Sequence, residues 1–196
     1  MLHHRAFGRH LDTLSIAVID NRRAILSLMR AMLAAIGTGR IETYESPTEA
    51  LDAMAKTVPD LVIASASMQP VTGPDLIRVM RRASSGPLAL VPAMIMSIRA
   101  KPALVEEALR AGAHQVLVLP TTASTLYRRL NWLINDDRPF ELDGERYALA
   151  GFEERLSLSF PKPVYVGTEV PQSGVTAEED SISSRDFAAK ARVAPH

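Results

Sequence analysis

The feature that most constrains the fold of this chain is a repeated alternation of short β-prone runs with amphipathic helical segments. Each run of five to seven largely apolar residues is followed by a stretch in which apolar residues recur at helical spacing. This alternation is typical of βα units built around a parallel sheet. The predicted strands are residues 14–20, 41–45, 60–65, 93–97 and 115–119.

The helical segments carry their own start and stop signals. After the first strand, the apolar residues of 25–36 form one stripe, and Gly37 is placed to end the helix. Residues 46–49 (Ser-Pro-Thr-Glu) form a capping box at the start of the second helix. Five such units with right-handed crossovers predict an α/β fold, a doubly wound, flavodoxin-like (βα)5 parallel sheet of order 2-1-3-4-5.

The carboxyl ends of the strands are where such a sheet places its chemistry. The predicted ends are Asp20, Ser65, Ser97 and Leu119. The third strand is the unusual one, because it runs through Ser65 into a loop with Met, Pro and Gly, and no acid stands at its end. The loop has the layout of a reaction site but lacks a carboxylate.

Sequence character changes on both sides of the βα units. Residues 1–12 have no structural signal and are predicted to be a flexible terminus, so the main domain is predicted to span residues 13–137. Residues 138–166 form an extension in which an Asp-Gly pair between apolar positions predicts a β-hairpin. Residues 167–196 are rich in Ser, Glu, Pro and Ala and are predicted to be disordered.

Composition excludes several classes of protein. The chain has 22 Lys and Arg against 22 Asp and Glu, so no nucleic-acid partner is expected. It contains no Cys, and no apolar run is long enough to span a bilayer, so we expect a cytoplasmic protein without a membrane partner. His3, His4 and His10 are interpreted as solvated residues, and no metal or cofactor is expected.

The strand ends resemble the receiver domain of two-component response regulators over residues 13–137. The resemblance rests on the order AVIDN, DLVIASASMQPVTGPDL, MIMS and AGAHQVLVLP. In that family the first strand ends in two acids, the third in an Asp that takes phosphate from a His kinase, the fourth in Ser or Thr, and the fifth in Lys-Pro. The resemblance places these positions at Ile19 and Asp20, Ser65, Ser97, and Leu119 with Pro120, and the family's aromatic switch position at Val116.

The matched positions keep the scaffold and lose the chemistry. Phosphotransfer to a receiver needs a carboxylate nucleophile, a Mg²⁺ held by acidic oxygens, and a cation near the phosphoryl group. Ser65 replaces the nucleophile, Ile19 removes a metal ligand and Leu119 removes the cation. We therefore predict a receiver-like module that is not an enzyme. Asp20 is interpreted as a cap for the next helix, and the pairs Arg22 with Arg23 and Arg81 with Arg82 as solvated charge at helix ends.

The resemblance implies that the chain acts through protein partners, either a histidine kinase, an effector or a second copy of itself. The predicted interaction face lies on the fourth helix, the fifth strand and the last helix. Two alternatives remain open: a phosphorelay regulator with non-standard acceptor chemistry, and a flavodoxin-like enzyme or ligand-binding domain. The residues of the predicted face are Leu104, Val105, Val116, Tyr127, Arg128 and Trp132.

Overall fold

A computed structural model of the chain describes residues 2–151. The rest of the predicted extension, up to residue 166, and the predicted disorder of residues 167–196 lie outside the described residues. The strands are β1 (Ser15–Ile19), β2 (Arg40–Tyr44), β3 (Leu61–Ser65), β4 (Ala93–Ser97), β5 (Gln115–Val118), β6 (Phe140–Asp143) and β7 (Arg146–Leu149). The helices are α1 (Arg23–Ala35), α2 (Pro47–Lys56), α3 (Gly73–Met80), α4 (Pro102–Arg110) and α5 (Ala123–Ile134).

The first five strands form one parallel sheet of order β2-β1-β3-β4-β5, which confirms the predicted topology. Every residue of β3 and β4 is buried, as expected for central strands covered on both faces. One core cluster lies between the sheet and helices α1 and α5, and the other lies between the sheet and helices α2, α3 and α4. One of the two hydrogen bonds of the predicted capping box forms, since the Ser46 hydroxyl accepts the Glu49 N–H.

The hairpin of β6 and β7 lies outside the main sheet, at its amino edge. The two strands pair antiparallel, and Gly144 occupies the left-handed region at the turn with φ 59°. Backbone hydrogen bonds attach the hairpin to the end of α3: the Tyr147 N–H donates to the Arg81 carbonyl, and the Ala83 N–H to the Glu145 carbonyl. The extension is therefore packed against the domain as far as it is described.

The amino-terminal segment is packed rather than flexible over the residues described. His4 and Ala6 are buried, and the Phe140 N–H donates to the Leu2 carbonyl at 2.7 Å. Two arginines of this segment, Arg5 and Arg9, both pair with the buried carboxylate of Asp60. The prediction of a flexible terminus therefore differs from the structure, because the contacts that order this segment come from residues far away in the chain.

A fully buried arginine, Arg81, joins α3, α4 and the hairpin. Its guanidinium donates to the carbonyl oxygens of Gly112, Ala89 and Val91 at 2.8–3.1 Å. The ring of Phe140 lies over it, with 4.7 Å from Cζ to the ring centroid. Within the described residues no carboxylate pairs with Arg81.

We expect the amino-terminal segment to loosen in mild acid because of His4. The His4 side chain is buried, and its titratable or charged neighbours are His3, His114 and Asp136. Burial lowers the pKa of His4 below its usual 6.5, although Asp136 and the backbone of Leu133 act in the opposite direction. A lowered pKa means that the unfolded chain binds the proton more tightly, so stability falls as the pH drops below about 6.5.

This pH dependence can be measured by chemical denaturation at a series of pH values. His4→Phe should flatten the curve below about pH 6.5, whereas His10→Phe, at an exposed position of the same segment, should leave it unchanged. Asp136, whose pKa is lowered, acts in a separate window below about 3.8. An unaltered curve in His4→Phe would rule out His4 as the source.

No helix among residues 2–151 has the length and apolar character needed to cross a membrane.

Candidate functional site at the carboxyl edge of the sheet

The structure brings the predicted pocket residues to one edge of the sheet. Asp20 follows β1, Ser65 ends β3, Ser97 ends β4 and Leu119 follows β5. Ile19 and these four residues are all buried. These residues therefore lie at one edge of the sheet, and the chemistry of that edge depends on what each buried group contacts.

Asp20 is held by its own neighbour, Arg22. The Arg22 guanidinium donates through Nε to Oδ1 at 2.9 Å and through Nη2 to Oδ2 at 2.7 Å, and the Arg22 backbone N–H donates to Oδ1 at 2.8 Å. This bidentate geometry is the strong form of an Arg–carboxylate pair. The capping interpretation of Asp20 was wrong, since the cap position of α1 is Arg22 and that helix has no side-chain cap.

The ion pair with Arg22 also shifts the pKa of Asp20. Burial alone would raise the pKa of this carboxyl, but hydrogen bonds from Arg22 and the Ser65 hydroxyl outweigh it, so the pKa lies below its usual 3.8. The carboxylate in turn raises the pKa of Arg22. Asp20 is therefore ionised and already neutralised at pH 7.

Arg22 was missed as a pocket residue by sequence reasoning, which interpreted Arg22 and Arg23 together as solvated charge. The structure separates them. The Arg23 side chain is 84% exposed and pairs with Glu45 at the surface, whereas Arg22 is about half exposed and reaches back to the buried Asp20. The only sequence signal is that Arg22 stands two residues after an Asp that ends a strand, which is the spacing of a local side-chain to backbone turn.

Ser65 lies beside the ion pair but has no group to activate it. Its hydroxyl is buried and lies 3.5 Å from Nη2 of Arg22. Its backbone fixes the start of α3, because a Cβ on Gly73 would stand 2.3 Å from the Ser65 carbonyl oxygen. The neighbouring carboxylate, Asp20, is a weak base because its pKa is lowered, so Ser65 is not set up as a nucleophile.

The side chains at the other two predicted positions, Ser97 and Leu119, also make their contacts away from Asp20. The Ser97 hydroxyl donates to the Arg99 carbonyl at 2.9 Å and accepts the Arg99 N–H at 3.1 Å, which closes a local turn. Leu119 packs into the core with Leu126 and Leu130 of α5. Neither residue offers a charge to the edge of the sheet.

Asn21, which the sequence did not indicate, ties three loops together across this edge. Its side-chain amide donates to the carbonyls of Glu45 and Gln69 at 3.0 and 3.3 Å, and its Oδ1 accepts the Gln69 N–H at 3.1 Å. The loops after β1, β2 and β3 are therefore held in a fixed relation around Asp20 and Arg22.

The residues at this edge do not fit a divalent cation. Mg²⁺ in proteins is bound by carboxylates with near-octahedral geometry. Within residues 2–151 there is no group of three or more His, Cys, Asp or Glu side chains that could hold a metal ion. The buried carboxylate at this edge, Asp20, already has both oxygens bonded to a guanidinium.

The predicted interaction face divides into a packed part and an exposed part. Leu104, Val105 and Val116 are half-buried, and two of them, Leu104 and Val116, pack against the core. Tyr127 and Trp132 of α5 are 45% and 46% exposed. These two aromatic side chains and Arg128 line an open groove of about 590 Å³.

The fold, together with a match to a known family, defines the class of this protein. The chain belongs to the response regulator receiver domain family, which it matches over residues 16–131. Receiver domains serve two-component signalling and interact with histidine kinases and effectors. The amino-terminal segment and the hairpin lie outside the matched residues.

The chain is also similar to individual chemotaxis proteins. It is 25% identical over 118 residues to the chemotaxis protein CheY-3 of Vibrio cholerae, a match that covers 60% of this chain and 89% of CheY-3. It superposes on the crystallised CheY4 of Vibrio cholerae with a TM-score of 0.57 at 22% identity, covering 61% of this chain and 98% of CheY4.

A further structural likeness is to the receiver domain of a sensor histidine kinase from Pseudomonas aeruginosa, which was crystallised with magnesium in its active-site cleft. That likeness has a TM-score of 0.57 at 19% identity and covers 63% of this chain and 98% of that one. The structural likenesses show the fold alone.

Proposed function

We propose that this chain is a phosphorylation-independent signalling module that acts through protein–protein interaction in a two-component-type pathway in the cytoplasm. The observation that carries the proposal is the bidentate pair of Arg22 and Asp20 at the edge where a receiver of the phosphorylated kind needs a metal ion. The Arg22 guanidinium takes the place that a bound Mg²⁺ has in such a receiver. The pocket is then neutral and closed without Mg²⁺ or phosphate.

Three further features support a pocket that does not turn over phosphate. Ser65 lacks a base, Ile19 adds no metal ligand, and Leu119 supplies no cation to a phosphoryl group. To bind here, Mg²⁺ would have to displace the Arg22 guanidinium from Asp20. The charge-assisted hydrogen bonds between Arg22 and Asp20, each worth about 1.5–3 kcal/mol, would then be lost. A single freed carboxylate would be a weak replacement for that loss.

The test is to expose the purified full chain to Mg²⁺ with an acyl-phosphate donor and, separately, with beryllium fluoride as a phosphate mimic. We expect no mass increase, and no shift of the amide resonances of Asp20, Ser65 or Ser97. A phosphorylation-competent receiver serves as the positive control. Phosphate on Ser65 would instead support a phosphorelay regulator with non-standard acceptor chemistry.

We propose further that the partner binds on the exposed part of the predicted face. Aromatic and Arg side chains dominate the binding energy of protein interfaces, and Tyr127, Arg128 and Trp132 lie together around the groove on α5. The Arg138 guanidinium lies 5.8 Å from the Trp132 ring centroid, which extends the same chemistry to the end of the helix. Leu104 and Val116 support the face from the core and are not expected to be anchors.

The interface prediction is a loss of partner binding in Trp132→Ala and in Arg128→Glu. For an anchor worth about 2 kcal/mol we expect a dissociation constant about 30-fold higher for the partner recovered with the unaltered chain. Leu28→Ala, at a similarly exposed position on α1, is the matched control. If affinity for every recovered partner and the chain's own self-association stay constant in both variants, the face is not the interface.

A further inference from the structure

The hairpin places two arginines directly opposite each other at the amino edge of the domain. Arg146 of β7 and Arg82, which follows α3, form an antiparallel β-bridge. The flanking hydrogen bonds, from Ala83 N–H to the Glu145 carbonyl and from Tyr147 N–H to the Arg81 carbonyl, make it a non-hydrogen-bonded pair. In such pairs the two side chains lie on the same face and closer together than in the hydrogen-bonded kind.

Charges of the same sign at this position are destabilising. Both side chains are exposed, and no salt bridge within residues 2–151 includes Arg82 or Arg146. Two carboxylates lie near in the fold, Asp143 across from Arg146 on β6 and Glu145 at the turn, but neither comes within ion-pair distance of an arginine here. Among residues 2–151 the pair therefore makes no salt bridge with a carboxylate.

The two arginines line an open groove of about 530 Å³ together with Ala83, Ser84 and Glu145. Ser84 is exposed and adds a hydroxyl that can donate to an anion. Two planar guanidinium groups and a hydroxyl on one face match the oxygen geometry of a phosphate group, which Arg binds through paired N–H donors.

We propose that Arg82, Arg146 and the Ser84 hydroxyl form a binding site for a phosphate-type dianion. One dianion neutralises both guanidinium groups and removes the repulsion between them, so binding stabilises the attachment of the hairpin to α3. The site lies at the opposite edge of the sheet from Asp20, and its hairpin half lies outside the residues that match the receiver family. It is independent of the function proposed above.

The experiment titrates inorganic phosphate into the full chain at constant ionic strength, with chloride as the replaced ion. We expect the thermal midpoint to rise by about 2–4 °C when phosphate exceeds its dissociation constant several-fold. Amide resonances of Ser84, Glu145 and Arg146 should shift, while those of Asp20 and Ser65 stay in place. A phosphoserine peptide that binds more tightly than inorganic phosphate identifies a phosphorylated protein as the source of the group, and equal binding identifies free phosphate.

Reversing one charge of the pair should raise the thermal midpoint measured without phosphate and abolish the rise that phosphate causes. Arg82→Glu creates a cross-strand ion pair with Arg146 and keeps Arg146 opposite Asp143, so without phosphate its thermal midpoint should rise, and the phosphate response should disappear. Arg82→Gln should lose the response with a smaller rise, because it removes the repulsion without adding an attraction. Arg30→Glu, an equal charge change on α1, should keep the full response. A phosphate response that survives in Arg82→Glu, or no response in the unaltered chain, would overturn the site.

Discussion

Arg81→Ala is expected to lower the free energy of unfolding by about 3–5 kcal/mol, the range for breaking a buried charged network. Burial lowers the pKa of Arg81 to about 9, so the side chain is still a cation at pH 7. It is stabilised by the carbonyl oxygens of Gly112, Ala89 and Val91 instead of a carboxylate. Alanine leaves these oxygens without the donors they have now and leaves a cavity under Phe140.

Two further substitutions separate the hydrogen bonds from the volume. Arg81→Met keeps most of the volume but donates no hydrogen bond, so we expect about 2–4 kcal/mol of destabilisation. Arg81→Lys keeps the charge but lacks the planar fork that reaches Gly112 twice, and should fall between Met and the unaltered chain. Denaturant unfolding monitored by circular dichroism gives all three values. An Arg81→Met variant as stable as the unaltered chain would refute the role of the carbonyl contacts.

The sheet could be predicted because its signals are local. Strand runs, the stripe on α1 and the capping box at residues 46–49 each act within one or two turns of chain, and each formed where the pattern indicated. The Asp-Gly turn of the hairpin is a signal of the same kind. Local chemistry is readable in one sequence because the interacting residues are neighbours.

What could not be predicted depends on long-range contacts. Arg81 looked like surface charge at a helix end, because its acceptors are carbonyls of residues 89, 91 and 112. The segment before β1 showed no pattern, because its order comes from Asp60 and from a bridge to β6. Arg22 is the intermediate case, since it is close to Asp20 in sequence but is identified as its partner only when the strand end is seen to be buried.

The largest gain of function is expected from rebuilding the pocket at four positions rather than three. The sequence alone indicates Ile19→Asp, Ser65→Asp and Leu119→Lys, which supply a metal ligand, a nucleophile and a cation. The structure adds Arg22→Ser, because the guanidinium now bonded to both oxygens of Asp20 would compete with Mg²⁺ for them. Removing it frees that carboxylate for the metal.

The expected rates of phosphate labelling distinguish the variants. A preorganised charge contact is worth about 3–4 kcal/mol, or about 10²–10³ in rate, so Ser65→Asp alone, which lacks the second metal ligand and the cation, should take up no phosphate. The triple variant should be labelled about 10–100-fold more slowly than the quadruple one at limiting Mg²⁺, as expected for losing hydrogen bonds to a charged group at about 1.5–3 kcal/mol. Labelling by an acyl-phosphate donor followed by mass spectrometry measures these rates.

The matched control for the fourth change is Arg23→Ser in the triple background. Arg23 is the neighbouring arginine, but it pairs with Glu45 at the surface and makes no contact with Asp20. Because Ile19 and Leu119 are buried, each variant must first show a cooperative thermal transition and the slow amide exchange of β1 and β3. If Ser65→Asp alone is labelled as fast as the quadruple variant, or Arg23→Ser speeds the triple variant as much as Arg22→Ser does, then Arg22 is not what keeps this pocket closed to metal and phosphate.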